Sequence, residues 1–224
     1  MHIPDSFLIP PEICALMYAI SLAFLIWSWK KAKATYTRSF APILAMSSAF
    51  VFAAQMINFP IVYGTSGHLV GAIFLAALLG PHMAILGMTI VLMIQALVFA
   101  DGGLLTFGAN VFNMAVIGGI SFFIVKPLAT HQKTSHFLAG IFAASWLAVI
   151  LGALACGIEV GFSPLFAEAG GTAVTVPAML FWHTIIGLIE AIITTTILSQ
   201  LHRLQPTLLF GITAFRGNPI ERKP

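Results

Sequence analysis

Six stretches of about 20 or more predominantly apolar residues dominate the chain, at roughly 12–31, 40–62, 82–100, 108–128, 136–160 and 174–201. A helix needs about 20 such residues to cross the hydrocarbon core of a bilayer. With 59% apolar and 8% charged residues the chain has too few charges to cover a water-facing surface. It reads as an all-α integral membrane protein. A seventh apolar run, 69–80, offers only about 12 residues, or ~18 Å of helix. It is short for a crossing unless buried among its neighbours, and Gly80-Pro81 ends it and starts the next helix.

Counting the short third helix gives a bundle of about seven transmembrane helices. With the N-terminus outside, the cytoplasmic segments are 30–39, about 80–82, 126–135 and 202–224. They hold Lys30, Lys31, Lys33, Arg38, Lys126, Lys133, Arg203, Arg216, Arg222 and Lys223, all ten basic residues of the chain. Six crossings would scatter them over both sides, so the positive-inside rule favours seven, with the C-terminus cytoplasmic. Asp5, Glu12, Asp101, Glu159 and Glu168 then make an acidic outer face that attracts cations. The net charge of +3 therefore reports topology and implies no nucleic acid. Cys14 and Cys156 lack the spacing of a disulfide framework or thiolate site. No GxxxxGK[ST] motif occurs, so this chain has no ATP site, is not expected to be an enzyme, and would draw any ATP hydrolysis from partner subunits. Residues 1–204 read as one membrane-embedded unit, with 1–11 as an N-terminal hook and 205–224 as a short cytoplasmic tail. Residues 1–12 carry no Lys or Arg, unlike a cleavable signal peptide. The start is expected to be retained, and His2 is too large for removal of the initiator, which leaves a free amine on Met1.

The opening Met1-His2-Ile3-Pro4-Asp5-Ser6-Phe7-Leu8 places an amine, an amide and an imidazole ahead of the first span. The Met1 amine, the His2 amide nitrogen and His2 Nδ1 can close a five-membered and then a six-membered chelate ring on one ion. Tetragonal nitrogen coordination suits Ni(II) or Cu(II), with low-spin Co(II) also compatible. Because free amines and imidazoles titrate at about 7.7–8.0 and about 6.5, binding displaces protons and weakens as pH falls. The alternative reading of His2 is an ordinary residue in a mobile terminus. A fourth nitrogen is needed, and His68 is the candidate. It ends the loop Tyr63-Gly64-Thr65-Ser66-Gly67-His68, on the same side as the N-terminus and where the short helix begins. The alternative is a loop histidine without a role.

Polar side chains inside spans are costly and usually face the bundle interior. Gln55 and Asn58 end the second span, and Asn110 and Asn113 begin the fifth. With Asp5 and Ser66 they are candidates to orient the ligands or hold the hook, interhelical packing being the alternative. His183 and Glu190, seven apart on one face of the last span, suggest a structural hydrogen-bonded pair rather than an ion path. His82, His131, His136 and His202 carry no assigned role, and Met83, Met88 and Met93 read as apolar filler. Ala41, Ala45 and Ala49 form a small-residue row on the second span, either internal packing or a docking face for a partner.

Together MHIPDSFL, QMINFP, GTSGHLVGA and GANVFN resemble the CbiM/NikM family over roughly residues 1–200. These are the substrate-binding S components of energy-coupling factor (ECF) transporters for cobalt and nickel. The resemblance implies seven helices, the N-terminal loop inserted from outside, and a near-planar four-nitrogen site built from the amine and amide of the first two residues and two imidazoles. Carried over, the ligands are Met1, His2 and His68. It also implies an ECF scaffold transmembrane subunit, two cytoplasmic ATPase subunits, often a small accessory membrane protein, and a place in the cell inner (plasma) membrane. Ser6 departs from the glycine common there, and since serine adopts positive φ less readily, the local turn is expected to differ. The tail is too short for the extra C-terminal domain of some members.

The expected function is capture of divalent nickel or cobalt from outside, followed by ATP-driven delivery inward. A stand-alone secondary metal-cation permease is the alternative, although the spans lack the ladder of carboxylates and histidines such a path requires. A structural membrane subunit without ligand is the third reading.

Overall fold

The computed structural model describes residues 1–129 and 134–213; His131, Lys133, Arg216, Glu221, Arg222 and Lys223 lie outside the described residues. Along the chain come α1 (Pro11–Thr35), α2 (Ala41–Gln55), the two-residue strands β1 (Phe59–Pro60) and β2 (Ser66–Gly67), α3 (Ala72–Leu79) and α4 (Pro81–Val98). There follow α5 (Phe107–Asn110), a π-helical turn (Val111–Val116), α6 (Ile117–Ala129), α7 (Thr134–Gly161), α8 (Pro164–Ala167), α9 (Thr172–Leu204) and α10 (Phe210–Thr213). Among the described residues, five helical stretches are long and apolar enough to cross a membrane: α1, α4, the rod from α5 into α6, α7 and α9. Their outward faces are apolar too. Leu16, Leu22 and Trp29 on α1, Met46 and Phe50 on α2, and Phe181, Ile189 and Ile192 on α9 are exposed, as expected where the surrounding solvent is hydrocarbon.

The helix ends follow from local chemistry. Pro11 opens α1 with Glu12 in the first turn and Lys33 in the last, the signs that complement the helix dipole. At the centre of the bundle, every residue of α3 is buried, enclosed by α2, α4, α6, α7 and α9. Its eight residues span only ~12 Å, yet the segment runs between the two ends of the bundle. Gln55, at the C-terminal end of α2, donates Nε2–H to Val70 O at 2.6 Å, while Tyr36, just past the end of α1, donates its hydroxyl to Leu79 O. Gly71 (φ 77°) and Gly80 (φ 81°) bend the chain on either side.

One expectation is corrected in detail. The second apolar run does not continue as helix to residue 62. It stops at Gln55, and Phe59–Pro60 pairs antiparallel with Ser66–Gly67. A residue before proline is pushed to extended backbone, so Phe59-Pro60 favours a strand over another helical turn. Within the tail, Leu209 and Ile212 are buried and α10 packs against α3.

Gly80 pairs φ 81° with ψ 158°, a region essentially confined to glycine, and a Cβ there would sit 2.5 Å from Tyr36 Oη. Gly80→Ala is expected to destabilise the protein by about 1–3 kcal/mol, read as a lowered unfolding midpoint in detergent. An unchanged midpoint would show that the bend tolerates a side chain.

Candidate metal centre

The N-terminal hook enters the bundle because its backbone polar groups find partners there. Pro4 is extended, Asp5–Phe7 makes one 3₁₀ turn, and Leu8 closes it in the left-handed region at φ 52°. The positive φ thus falls on Leu8 and not on Ser6, so serine at position 6 carries no conformational penalty. Ile3 is gripped from both sides: its N–H donates to Asn110 Oδ1 at 2.8 Å. Its carbonyl accepts from Asn110 Nδ2 at 3.1 Å, Thr106 Oγ1 at 2.5 Å and Gly103 N at 2.8 Å. The Asp5 carboxylate accepts from Leu104 N (2.9 Å), Leu105 N (2.9 Å) and Thr106 N (3.2 Å). A Cβ at Gly103 would overlap that carboxylate, so the close approach requires glycine. Ser163 Oγ donates to Phe7 O.

Held this way, Met1, His2 and Ile3 are buried, and the amine lies 2.8 Å from His68 Nε2. The amine also donates to Ser66 O and lies 3.1 Å from Ser66 Oγ, which accepts from the His2 amide at 3.3 Å. His68 Nδ1 lies 2.8 Å from Leu69 O; a carbonyl only accepts, so the ring proton sits on Nδ1 and the Nε2 lone pair faces the amine. His2 Nε2 lies 3.1 Å from Gln95 Oε1, which by the same logic frees the lone pair of Nδ1. That Nδ1 is buried without a hydrogen-bond partner. The two rings stack at 4.6 Å and 29°.

The 2.8 Å between the amine and His68 Nε2 is a spacing that two neighbouring ligands of a planar ion can adopt. Nitrogens at adjacent corners of a square with metal–nitrogen distances of about 2.0 Å stand about 2.8 Å apart. Among the described residues no three His, Cys, Asp or Glu side chains form a metal cluster; the candidate donors include a main-chain amine and amide. Burial also disfavours protonation of the amine and the two imidazoles: it lowers the Met1 amine to about 5. Burial, then the nearby amine, lowers His2 to about 3 and puts His68 well below its ordinary value.

The other expected residues divide. Ser66 touches the amine, Asn110 and Asp5 hold the hook, and Gln55 holds Val70, two residues beyond His68. Asn58 reaches the hook only through Asp101, to which it donates at 3.2 Å. Asn113 does not join the hook; its Nδ2 donates to Glu159 on α7 at 2.6 Å. The wider π-helical turn from Val111 to Val116 separates it from Asn110, where an α-helix would align residues three apart. His183 and Glu190 do not bond to each other. His183 Nδ1 meets Met179 O at 2.8 Å, and Glu190 accepts from Val70 N at 2.5 Å and Gly71 N at 2.9 Å, clamping the segment that follows His68. Gln95, Asp101, Thr106 and Glu190 act at the site without having been singled out for it. The reasoning that selects amides inside apolar spans applies equally to Gln95.

Removing the Asn110 amide strips Ile3 of two hydrogen bonds. Asn110→Ala is expected to weaken hook docking by about 1–3 kcal/mol, seen as faster amide exchange over residues 1–10; unchanged protection would refute the grip. The amine sets a sign for pH. Its docked value, about 5, lies below its ordinary 8.0, so the undocked terminus binds more protons between them and docking strengthens as pH rises through that window. Exchange of the Ile3 amide, corrected for its intrinsic rate, should slow from pH 5 to 8; the opposite trend would mean that the buried amine is charged.

Comparison with known proteins places this architecture. Residues 2–208 match the CbiM family, described as "Cobalt uptake substrate-specific transmembrane region". The fused nickel transport protein NikMN of Rhodobacter capsulatus is 37% identical over 224 residues, covering 93% of this chain and 64% of that protein. The cobalt transport protein CbiM of Lachnoclostridium phytofermentans is 38% identical over 150 residues, covering 66% of this chain and 59% of that protein. A crystal structure of a transition metal transporter superposes with a TM-score of 0.82 at 34% identity, covering 98% of this chain and 100% of that one. The chain belongs to the CbiM family.

Proposed function

We propose that this chain captures nickel or cobalt as its substrate in a near-planar site made by the Met1 amine, the His2 amide nitrogen, His2 Nδ1 and His68 Nε2. It then delivers the ion inward as the specificity subunit of an ATP-driven ECF transporter. The observation that carries the reading is the 2.8 Å separation between the Met1 amine and His68 Nε2, with the partnerless His2 Nδ1 beside it. Family membership and the nickel and cobalt transport named for the relatives support the choice of ion. In this reading α2 and α3 complete seven passes through the plasma membrane, with the hook outside and the basic ends of α1 and α9 in the cytoplasm. The partners are a scaffold transmembrane subunit, two ATPase subunits and a small accessory membrane protein. Ala41, Ala45 and Ala49 stay exposed on α2, beside a groove that α2 forms with Ile90, Ile94 and Phe99, and are the proposed contact for the scaffold. The engagement of His183 and Glu190 with backbone groups argues against a titratable ladder and thus against a stand-alone permease.

One residue added before Met1 moves the amine away from His68, so the extended chain should lose the planar-site absorption of bound Ni(II). His68→Ala should do the same and weaken binding by more than about 100-fold. Equilibrium titration with the spectrum recorded at each point checks both, and an unchanged band in either variant would remove that nitrogen from the site.

A further inference from the structure

Most carboxylates near the hook are already engaged. Asp5 caps the turn at 104–106, Glu159 pairs with Asn113, and Glu190 holds Val70 and Gly71. Asp101 differs. Its Oδ1 faces His2 Nδ1 at 3.5 Å, beyond hydrogen-bond range, and Nδ1 has no other partner. With the ring proton on Nε2 toward Gln95, a nitrogen lone pair and a carboxylate oxygen confront each other with no donor between them. A proton or a metal cation completes such an arrangement. The second oxygen, Oδ2, turns toward exposed Asn58, which donates to it at 3.2 Å. The Asp101 side chain is 19% exposed where that of His2 is 3%, so one carboxylate links the surface to the buried nitrogen. Its charge also acts on the Met1 amine. The turn that aims it is unusual: Ala100 (φ 52°) and Gly102 (φ 94°) flank it in the left-handed region. Its N–H donates at 3.0 Å to the carbonyl of Gln95, the same residue whose side chain holds His2.

We propose that Asp101 is the entry carboxylate of this site. It takes the divalent cation from water at the mouth beside the hook and passes it to His2 Nδ1, before the other nitrogens close around it. The inference rests on the metal-capture reading above and adds the route by which the ion arrives. A negative oxygen at the mouth raises the local cation concentration and steers the encounter, while a nitrogen-rich site retains Ni(II) or Co(II) better than a single carboxylate does. Asp101 therefore governs association more than retention.

Stopped-flow mixing of Ni(II) with the full chain in nanodiscs of uncharged lipid separates the two rates. For Asp101→Asn the association rate constant should fall about tenfold and lose most of its dependence on ionic strength. The dissociation rate should move less than about twofold, with the bound spectrum unchanged. Asp101→Glu, which keeps the charge, should recover most of the association rate and serves as the folding control. Wild-type association kinetics in Asp101→Asn, with a normal planar band, would overturn the entry role and leave the four-nitrogen site standing. A loss confined to dissociation, with an altered spectrum, would also overturn it, making Asp101 a group that retains the ion. If the wild-type chain shows no planar band, the capture reading fails and takes this proposal with it.

Discussion

A main-chain amine buried inside a helical bundle, 2.8 Å from an imidazole nitrogen, is the contact on which the hook end of this protein depends. Burying an unpaired polar group is expensive, and burying a charged one more so. The amine is accepted here because its proton affinity is lowered and because Ser66 and His68 satisfy it. Every neighbouring element serves that placement. Asn110, Thr106 and Asp5 fix the hook backbone, Gln95 sets the His2 ring, and Leu69 sets the His68 ring.

The short α3 borders the same placement. After α2 the chain runs as a hairpin and an extended segment that set Ser66 and His68 beside the amine, and it becomes helical only at Ala72. That segment exposes backbone groups inside the bundle, where no water can satisfy them. Gln55 and Glu190 supply the missing partners, one holding the carbonyl of Val70 and the other the N–H groups of Val70 and Gly71. Glu190 is thus a carboxylate inside a span that meets backbone donors rather than a counter-ion. At the opposite end α10 packs against α3, with Leu209 and Ile212 buried.

Much of this is legible in the sequence where a single physical rule governs. Apolar length places α1, α4, the α5–α6 rod, α7 and α9 to within a few residues, Gly80-Pro81 marks the break between α3 and α4, and the chelate chemistry of Met1-His2 with a histidine on a glycine-bordered loop selects residues that the fold brings into contact. Legibility ends where a backbone irregularity decides. The π-helical turn sends Asn113 to Glu159 instead of to the hook, and the strand at Phe59–Pro60 interrupts an apolar run that otherwise continues as helix. Partners from distant spans, Gln95 and Glu190 among them, are set by helix packing that no local pattern encodes, and the pairing expected of His183 with Glu190 gives way to separate bonds to backbone, one for His183 and two for Glu190.

X-ray absorption at the nickel edge of the metal-loaded chain tests the central claim most directly, because it reports the ligand shell without relying on any variant. The account predicts a four-coordinate planar edge signature with a shell of nitrogen donors alone, near 2 Å. A six-coordinate shell rich in oxygen, or any sulfur scatterer from Cys156 or a methionine, would contradict it.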